Sequence, residues 1–170
     1  VAAGCRFSDL LRADLSFNYM VNDLTWVGYF ADNSAPSRFD ADTKAYVVMA
    51  NAYVHAKGLA PEAFGKADPY VGVGVGQTRN RLLNASERAA TADQFRSNLA
   101  DGTNTDVAYR LGVGVDLPLV STVSVSLAVD HYWLGEFKSG ETRMLPNGDY
   151  SAIGPWSVDK LRTVNASLGL

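Results

Sequence analysis

The chain has 170 residues, 47% of them hydrophobic, and a net charge of -3 at pH 7. This length suits a single domain, and the lack of any run of about 18 apolar residues excludes a transmembrane helix. The acidic balance without a basic cluster argues against a nucleic-acid partner, and a lone cysteine, Cys5, excludes an internal disulfide.

The first predicted elements alternate between two kinds of side chain. Residues 1–7 read as the end of a strand, and Ser8-Asp9 predicts a tight turn, because short polar side chains there bond their own backbone. Residues 10–20 form the next predicted strand, in which leucine, alanine and aromatic residues occupy every second position. Since strand side chains alternate between faces, this strand has one apolar face and one polar face.

The middle of the chain is predicted to contain two strands between long connections. A connection over 22–43 leads into a strand over 44–56, both of whose faces are fairly apolar, and a turn over 57–67 follows. The strand over 68–78 then sets valines opposite glycines. The next connection, 79–105, includes a predicted helix over 86–100 with Ser86 as its N-cap.

Residues 106–137 carry the clearest pattern in the chain. Two alternating runs, joined by a turn at 118–122, each place large apolar residues on one face. The opposite faces combine glycine, alanine and serine with isolated charges. This distribution is typical of a membrane barrel, whose apolar side chains face lipid and whose small and polar side chains face a narrow lumen.

The connection lengths support the same interpretation. Short turns at 8–9, 57–67 and 118–122 alternate with long connections at 22–43, 79–105 and 136–159, before a last predicted strand over 161–170. Connections of twenty-odd residues are uncommon in compact soluble domains. In outer-membrane barrels, short periplasmic turns and long extracellular loops are expected.

These segments resemble the small outer-membrane β-barrels of Gram-negative bacteria. The resemblance is to the opacity-protein and OmpA-transmembrane type, and especially to the alphaproteobacterial porin-family proteins. It is carried by the order and spacing of five segments, which are GCRFSDLLRADLSFNY, NAYVHAKG, DPYVGVGVGQT, YRLGVGVDLPLVSTVSVSLAVDHYWLG and VNASLGL.

The resemblance implies one all-β domain over 1–170, an antiparallel up-and-down eight-stranded transmembrane β-barrel. Seven strand segments are visible, so the first strand is expected to precede Val1, and an aromatic C-terminal residue is expected shortly after Leu170. The implied location is the outer membrane, with long loops outside and short turns in the periplasm. The expected partners are outer-membrane lipid and lipopolysaccharide, with a protein or surface-layer partner at the loops.

Two sets of residues are candidates for a role in such a barrel. A polar network is expected to fill the lumen, where it forms either an ion path or a structural ion-pair network that plugs the barrel. Its members are Arg12, Asp14, Asn51, Tyr53, Arg110, Asp116 and Asp130. An interfacial aromatic girdle is expected to comprise Tyr19, His131, Tyr132 and Trp133.

No residue is assigned a catalytic, cofactor-binding or metal-binding role. The glycines at 72–76 and 112–114 recur with period two on one strand face, whereas a nucleotide fingerprint needs a strand-to-helix turn. Lipid A deacylases place a histidine and a serine two positions apart, but the residue two positions after His131 is Trp133. Asp32, Asp40 and Asp42 lack a fixed ligand spacing and read as a solvated loop.

The leading hypothesis is therefore a non-enzymatic outer-membrane barrel that supports envelope integrity or surface interaction through its loops. The alternative is a narrow porin-like channel for small solutes or ions. A lipid-modifying outer-membrane enzyme and a soluble lipocalin-like ligand binder are two further alternatives. The lipocalin interpretation requires the two strand faces to be exchanged.

Overall fold

The computed structural model describes residues 1–28, 36–120, 123–159 and 161–169. Within these ranges the chain is all-β apart from a short 3-10 turn, Ala56–Gly58. No helix in the described ranges is long and apolar enough to cross a membrane. Seven strands, called the long strands although β1 has only five residues, are β1 Ala2–Arg6, β2 Leu11–Gly28, β3 Ser37–His55, β4 Asp68–Ala89, β6 Gly102–Val120, β7 Val123–Trp133 and β12 Arg162–Gly169. The others, called the short strands, are β5 Phe95–Leu99, β8 Phe137–Lys138, β9 Thr142–Met144, β10 Tyr150–Ala152 and β11 Ser157–Val158.

The long strands form one antiparallel sheet in the order β1-β2-β3-β4-β6-β7-β12. Each of them pairs with the long strand before it, so the prediction of an all-β antiparallel meander is confirmed. The short strands β5, β9 and β10 continue the sheet from the far end of β4, and β8 pairs with β11.

The sheet curls around one inner face. Arg12 of β2 reaches Asp116 of β6, three strands away in the sheet, with 3.1 Å between Nη1 and Oδ2. Arg6 of β1 likewise binds Asp68 of β4. Contacts of this span require strong curvature, so the inward side chains of distant strands meet in the middle.

The two ends of the sheet differ in their connections. At one end, here called the turn end, β1 passes to β2 through a turn in which the Ser8 hydroxyl accepts bonds from the amides of Leu10 and Leu11, at 3.2 and 3.1 Å. The β3–β4 and β6–β7 connections lie at the same end. The opposite end is called the loop end, and the predicted turn at Ser8-Asp9 is confirmed.

The strands extend much further toward the loop end than the sequence pattern predicted. β2 and β3 run through most of the predicted 22–43 loop, and residues 29–35 lie outside the described residues. β4, β5 and β6 occupy most of 79–105, and the predicted helix over 86–100 is wrong because this stretch is extended. The 136–159 connection contains β8 to β11.

A bulge explains why the alternation in β4 could not be followed from the sequence. Asn84 has a left-handed φ of 52°, and the register between β3 and β4 shifts beside it. The Asp101 carboxylate accepts a hydrogen bond from the backbone amide of Asn84 at 3.0 Å. The extra residue leaves Leu82 and Leu83 both buried and moves the buried set to odd-numbered positions.

Candidate functional site

The inner face at the turn end holds a network of charged side chains. Arg110 pairs with Asp130 at 2.6 Å and donates to the Tyr53 hydroxyl at 2.9 Å. The Asn51 amide donates to Asp14 at 2.6 Å. Arg12 pairs with Asp116, so the structure brings together all seven residues of the predicted polar network.

Ring stacking holds the two arginines of this network in place. The Arg12 guanidinium lies 4.1 Å from the centre of the Tyr53 ring and 4.9 Å from that of Tyr70. Arg110 approaches the Tyr53 ring from 5.2 Å. Each cation therefore has both a carboxylate and an aromatic face, which compensates for its removal from water.

Glycines on neighbouring strands make the space that this network fills. A Cβ atom on Gly74 would lie 2.2 Å from the Asn51 side-chain oxygen, and one on Gly112 would lie 2.0 Å from an Asp130 carboxylate oxygen. Both separations are far below van der Waals contact. The period-two glycines thus serve to admit large polar side chains from other strands.

The strand parity of His55 predicts an interior histidine near the turn end, but the sequence did not indicate the second polar cluster to which it belongs. Asp68 accepts a bond from Arg6 and lies 3.0 Å from Nδ1 of His55, which is fully buried. His55 ends β3 and Asp68 begins β4, so antiparallel pairing brings the two together. The available signal was their position on either side of the predicted 57–67 turn.

The polar network borders a cavity of about 480 Å³. Its walls include inward residues of β2, β3, β6 and β7, and also residues of both β1 and β12. Among the described residues, β1 pairs only with β2 and β12 pairs only with β7. The two free edges of the sheet therefore face the same cavity.

The inner face at the loop end holds an apolar cluster, beside buried polar residues such as Asn80 and Glu87. Phe137 and Leu134 are fully buried there against residues of β3, β4 and β6. Trp156 closes over them, with its ring centre 4.3 Å from that of Phe39. The members of this apolar cluster are Met20, Ala41, Ala45, Val47, Met49, Leu82, Ala85, Leu99, Ala108, Tyr132, Leu134 and Phe137.

The outer face at the turn end carries an exposed apolar belt. Leu15 is 65% exposed and Val73 is 55% exposed, although both lie in the middle of long strands. The large members of the belt are Leu11, Leu15, Phe17, Tyr19, Val21, Val48, Val54, Val71, Val73, Val75, Val107, Tyr109, Leu111, Val113, Leu117, Val123, Leu127, Val129, Val164 and Leu168.

Aromatic residues mark the loop-end border of the belt. The rings of Tyr19 and Tyr46 lie 5.0 Å apart on β2 and β3, and those of His131 and Trp133 lie 4.3 Å apart on β7. Tyr132 does not share this face. It is buried on the inner face beside Arg110, because it has the opposite strand parity from its two neighbours, and its assignment to the girdle was wrong.

A single strand, β3, shows the change of polarity most clearly. On its turn-end half, the outward residues include Val48 and Val54, and the inward ones include Asn51 and His55. On its loop-end half, the outward residues are Arg38, Asp40, Asp42 and Lys44, and the inward ones include Phe39, Ala41, Ala45 and Val47. The two faces exchange polarity near Tyr46.

The acidic residues considered for a cation site are engaged otherwise. Asp40 pairs with Arg38 at 3.0 Å and accepts a bond from the Thr25 hydroxyl at 2.7 Å, which lowers the pKa of Asp40 below its ordinary value. Asp42 accepts a bond from the Asn84 amide at 2.7 Å. Asp32 lies outside the described residues, and within those described no cluster of potential metal ligands occurs.

No protein-family model matches the chain, and no curated protein and no solved structure matches it. Its function therefore has to be inferred from the contacts and exposures of its own residues.

Proposed function

We propose that this chain is an outer-membrane β-barrel protein without enzymatic activity, which anchors a folded loop-end surface for envelope integrity or surface interaction. The carrying observation is the exchange of polarity along single strands. The outer face is apolar over one half of the sheet and charged over the other, and the interior changes from a charged network to one that contains an apolar cluster, which matches two different surrounding media.

The size of the belt supports an apolar medium at the turn end. An apolar run of about ten residues, at about 3.3 Å per residue and a tilt of about 40°, spans about 25 Å, the height of the apolar band of an outer-membrane barrel. An exposed patch of this extent far exceeds the roughly 300–600 Å² found on soluble monomers. Lipid contact removes that exposure, and Tyr19 and Trp133 suit the interface.

We also propose that the sheet closes as an eight-stranded barrel. β1 and β12 run in the same direction, so one strand antiparallel to both fits between them and satisfies their free edges. Unpaired backbone groups in an apolar medium cost several kcal/mol each. Closure in this form agrees with the even strand count of bacterial single-chain barrels and with the resemblance to small outer-membrane barrels.

The apolar cluster favours anchoring over the porin-like alternative. Phe137, Leu134 and Trp156 lie on the inner face above the polar network, across the route that a solute would take. Both arginines below them are ion-paired, Arg12 with Asp116 and Arg110 with Asp130. No observation on the described residues favours a channel, a lipid-modifying enzyme or a soluble ligand binder.

The membrane assignment can be tested with the chain extracted in detergent and reconstituted in lipid vesicles. We expect it to float with the vesicles and to migrate differently on a gel before and after boiling. A chain that stays in the aqueous fraction, or whose mobility does not change on boiling, contradicts the proposal.

The orientation can be tested by inserting an epitope at two glycines with open surroundings. Gly148 and Gly65 both have positive φ, and a Cβ atom on either would have no atom within 4 Å. Gly148 lies at the loop end and Gly65 at the turn end. We expect antibody to bind the Gly148 insertion on intact cells and the Gly65 insertion only after the outer membrane is permeabilised. The reverse pattern contradicts the orientation.

A further inference from the structure

Three cations lie together on the outer face just beyond the loop-end border of the belt. On β4 the outward sequence changes from Val71, Val73 and Val75 through Gln77 to Arg79 and Arg81. On β3 it changes from Tyr46 to Lys44. Lys44 is directly opposite Arg81, and Tyr46 is opposite Arg79, so the three cations form one compact group.

Two carboxylates lie near this group on the outer face, Asp42 of β3 and Asp23 opposite it on β2, but neither forms an ion pair with the three cations in the described part of the chain. Like charges directly opposite each other on antiparallel strands destabilise a sheet. Within the described residues, none of the three cations has a carboxylate within ion-pair distance. Asp42, the nearest acidic residue along β3, accepts a bond from the Asn84 amide.

A similar pair on the same two strands is compensated. Arg38 and Arg88 also lie opposite each other on β3 and β4, nearer the loop end. Each has its own carboxylate, since Arg38 pairs with Asp40 at 3.0 Å and Arg88 with Asp93 at 3.5 Å. Of the two opposed cation pairs, Arg38–Arg88 therefore has ion-paired carboxylates, and Lys44–Arg81, beside the belt, has none among the described residues.

The surroundings of the group suit a polar anion held at a membrane boundary. Thr105 and Thr103 of β6 lie opposite Arg79 and Arg81, and both are exposed. Their hydroxyls add donors to the three cationic side chains. Arginine binds phosphate oxygens through two parallel N–H groups, and lysine binds them as a point charge.

We propose that Lys44, Arg79 and Arg81 bind the phosphate of a membrane-lipid headgroup, with a phosphomonoester-bearing glycolipid as the preferred occupant. This inference rests on the proposed membrane location, since it places the group level with the headgroups that adjoin the belt. A phosphomonoester carries more negative charge than a phosphodiester, which suits three cations that have no ion-paired carboxylate among the described residues. The lipid supplies the countercharge that the protein supplies to Arg38 and Arg88.

The test compares two double variants that remove the same charge. Wild type, Arg79→Gln/Arg81→Gln and Arg38→Gln/Arg88→Gln are reconstituted in phosphatidylcholine vesicles and titrated with fluorescent bisphosphorylated lipid A. We expect the first variant to bind about tenfold or more weakly than wild type, and the second within about twofold of it. Lys44→Gln should weaken binding by an intermediate factor.

Three further titrants separate the sources of phosphate. We expect dephosphorylated lipid A and phosphatidylglycerol to bind wild type more weakly than bisphosphorylated lipid A, and inorganic phosphate to compete only at millimolar concentration. Equal binding of the dephosphorylated lipid, or equal affinities of the two double variants, overturns the inference. Inorganic phosphate binding as tightly as lipid A overturns the assignment to a lipid.

Two controls distinguish a wrong headgroup site from a wrong membrane location. If wild type does not float with vesicles or shift its gel mobility on boiling, the membrane location itself is wrong. If it does both and shows no phosphate-dependent binding, only the headgroup site is wrong.

Discussion

The turn-end and loop-end halves of the sheet are built from the same strands with opposite polarity. At the turn end, the inner face carries the Arg110–Asp130 pair and the outer face carries residues such as Leu127. At the loop end, the inner face carries Phe137 and the outer face carries Arg38. The loop-end half thus resembles a soluble protein, and the turn-end half is its inverse.

This difference teaches that strand alternation alone does not say which face is the inside. The apolar face is buried where water surrounds the sheet, and it is exposed where the surroundings are apolar. Under the proposed membrane location, the position at which the two patterns exchange marks the boundary between the two media. In β3 that position is Tyr46, next to Tyr19 of β2.

The largest expected effect comes from breaking the buried ion pair at the turn end. Asp130→Ala leaves Arg110 charged and without its carboxylate, which should lower the free energy of unfolding by about 3–5 kcal/mol. Asp93→Asn removes the exposed charge partner of Arg88 at the loop end while suiting the left-handed φ of residue 93, and it should cost about 1 kcal/mol or less. Urea unfolding in lipid vesicles measures both, and equal losses would contradict a difference between the two pairs.

Truncating the apolar cluster should have the next largest effect. Phe137→Ala creates a cavity beneath Trp156 and should cost about 3–4 kcal/mol, as for buried aromatic residues in soluble cores. Tyr150→Ala in the same connection removes a 76% exposed ring and should change stability by about 0.5 kcal/mol or less. The same unfolding measurement applies, and a small loss for Phe137→Ala would show that the loop-end interior is not a packed core.

A charge placed on the outer face should distinguish the two halves directly. Leu127→Arg introduces a cation in the belt and should cost about 2–4 kcal/mol in a bilayer. Asn98→Arg introduces the same cation at an exposed, outward position of β5 beyond the belt, opposite the uncharged Ser86 and Met144, and should cost about 1 kcal/mol or less. If Leu127→Arg unfolds in lipid vesicles at the same urea concentration as the parent, the belt does not face lipid.

Acidification should have the smallest effect and should act at the loop end. The hydrogen bond from Thr25 and the Arg38 charge lower the pKa of Asp40 in the folded state. A lowered folded-state pKa stabilises the fold at neutral pH, and this contribution is lost as the pH falls through that pKa. The difference in unfolding midpoint between wild type and Asp40→Asn should therefore be present at pH 7 and shrink as the pH falls below the ordinary pKa of an aspartate. A difference that stays constant with pH would contradict this role of Asp40.

The sequence was sufficient to predict the strands of the turn-end half and their inward charges. Arg110 and Asp130 lie on the same face of an alternating hairpin. The glycines opposite them indicate space for large side chains. The structure pairs these two residues as that shared face implies.

The loop-end half could not be predicted in the same way. On the loop-end side of Tyr46 the outward residues become charged. A prediction based on apolar outward residues therefore ends the strands near this position. Asn84 adds a bulge that disrupts the alternation of β4 at residue level. The contacts of Phe137 with distant strands depend on tertiary packing, and no local pattern in the 136–159 connection indicates them.

The proposed membrane location requires one strand, β3, to pass from an apolar medium into water. Spin labels on single cysteines of β3, in a Cys5→Ser background, test it by accessibility to oxygen and to a water-soluble nickel complex. A label at Val48 should be reached by oxygen and not by nickel, a label at Arg38 should be reached by nickel, and a label at Val47 should be reached by neither. Equal nickel accessibility at Val48 and Arg38 would show that water surrounds both halves and would contradict the account.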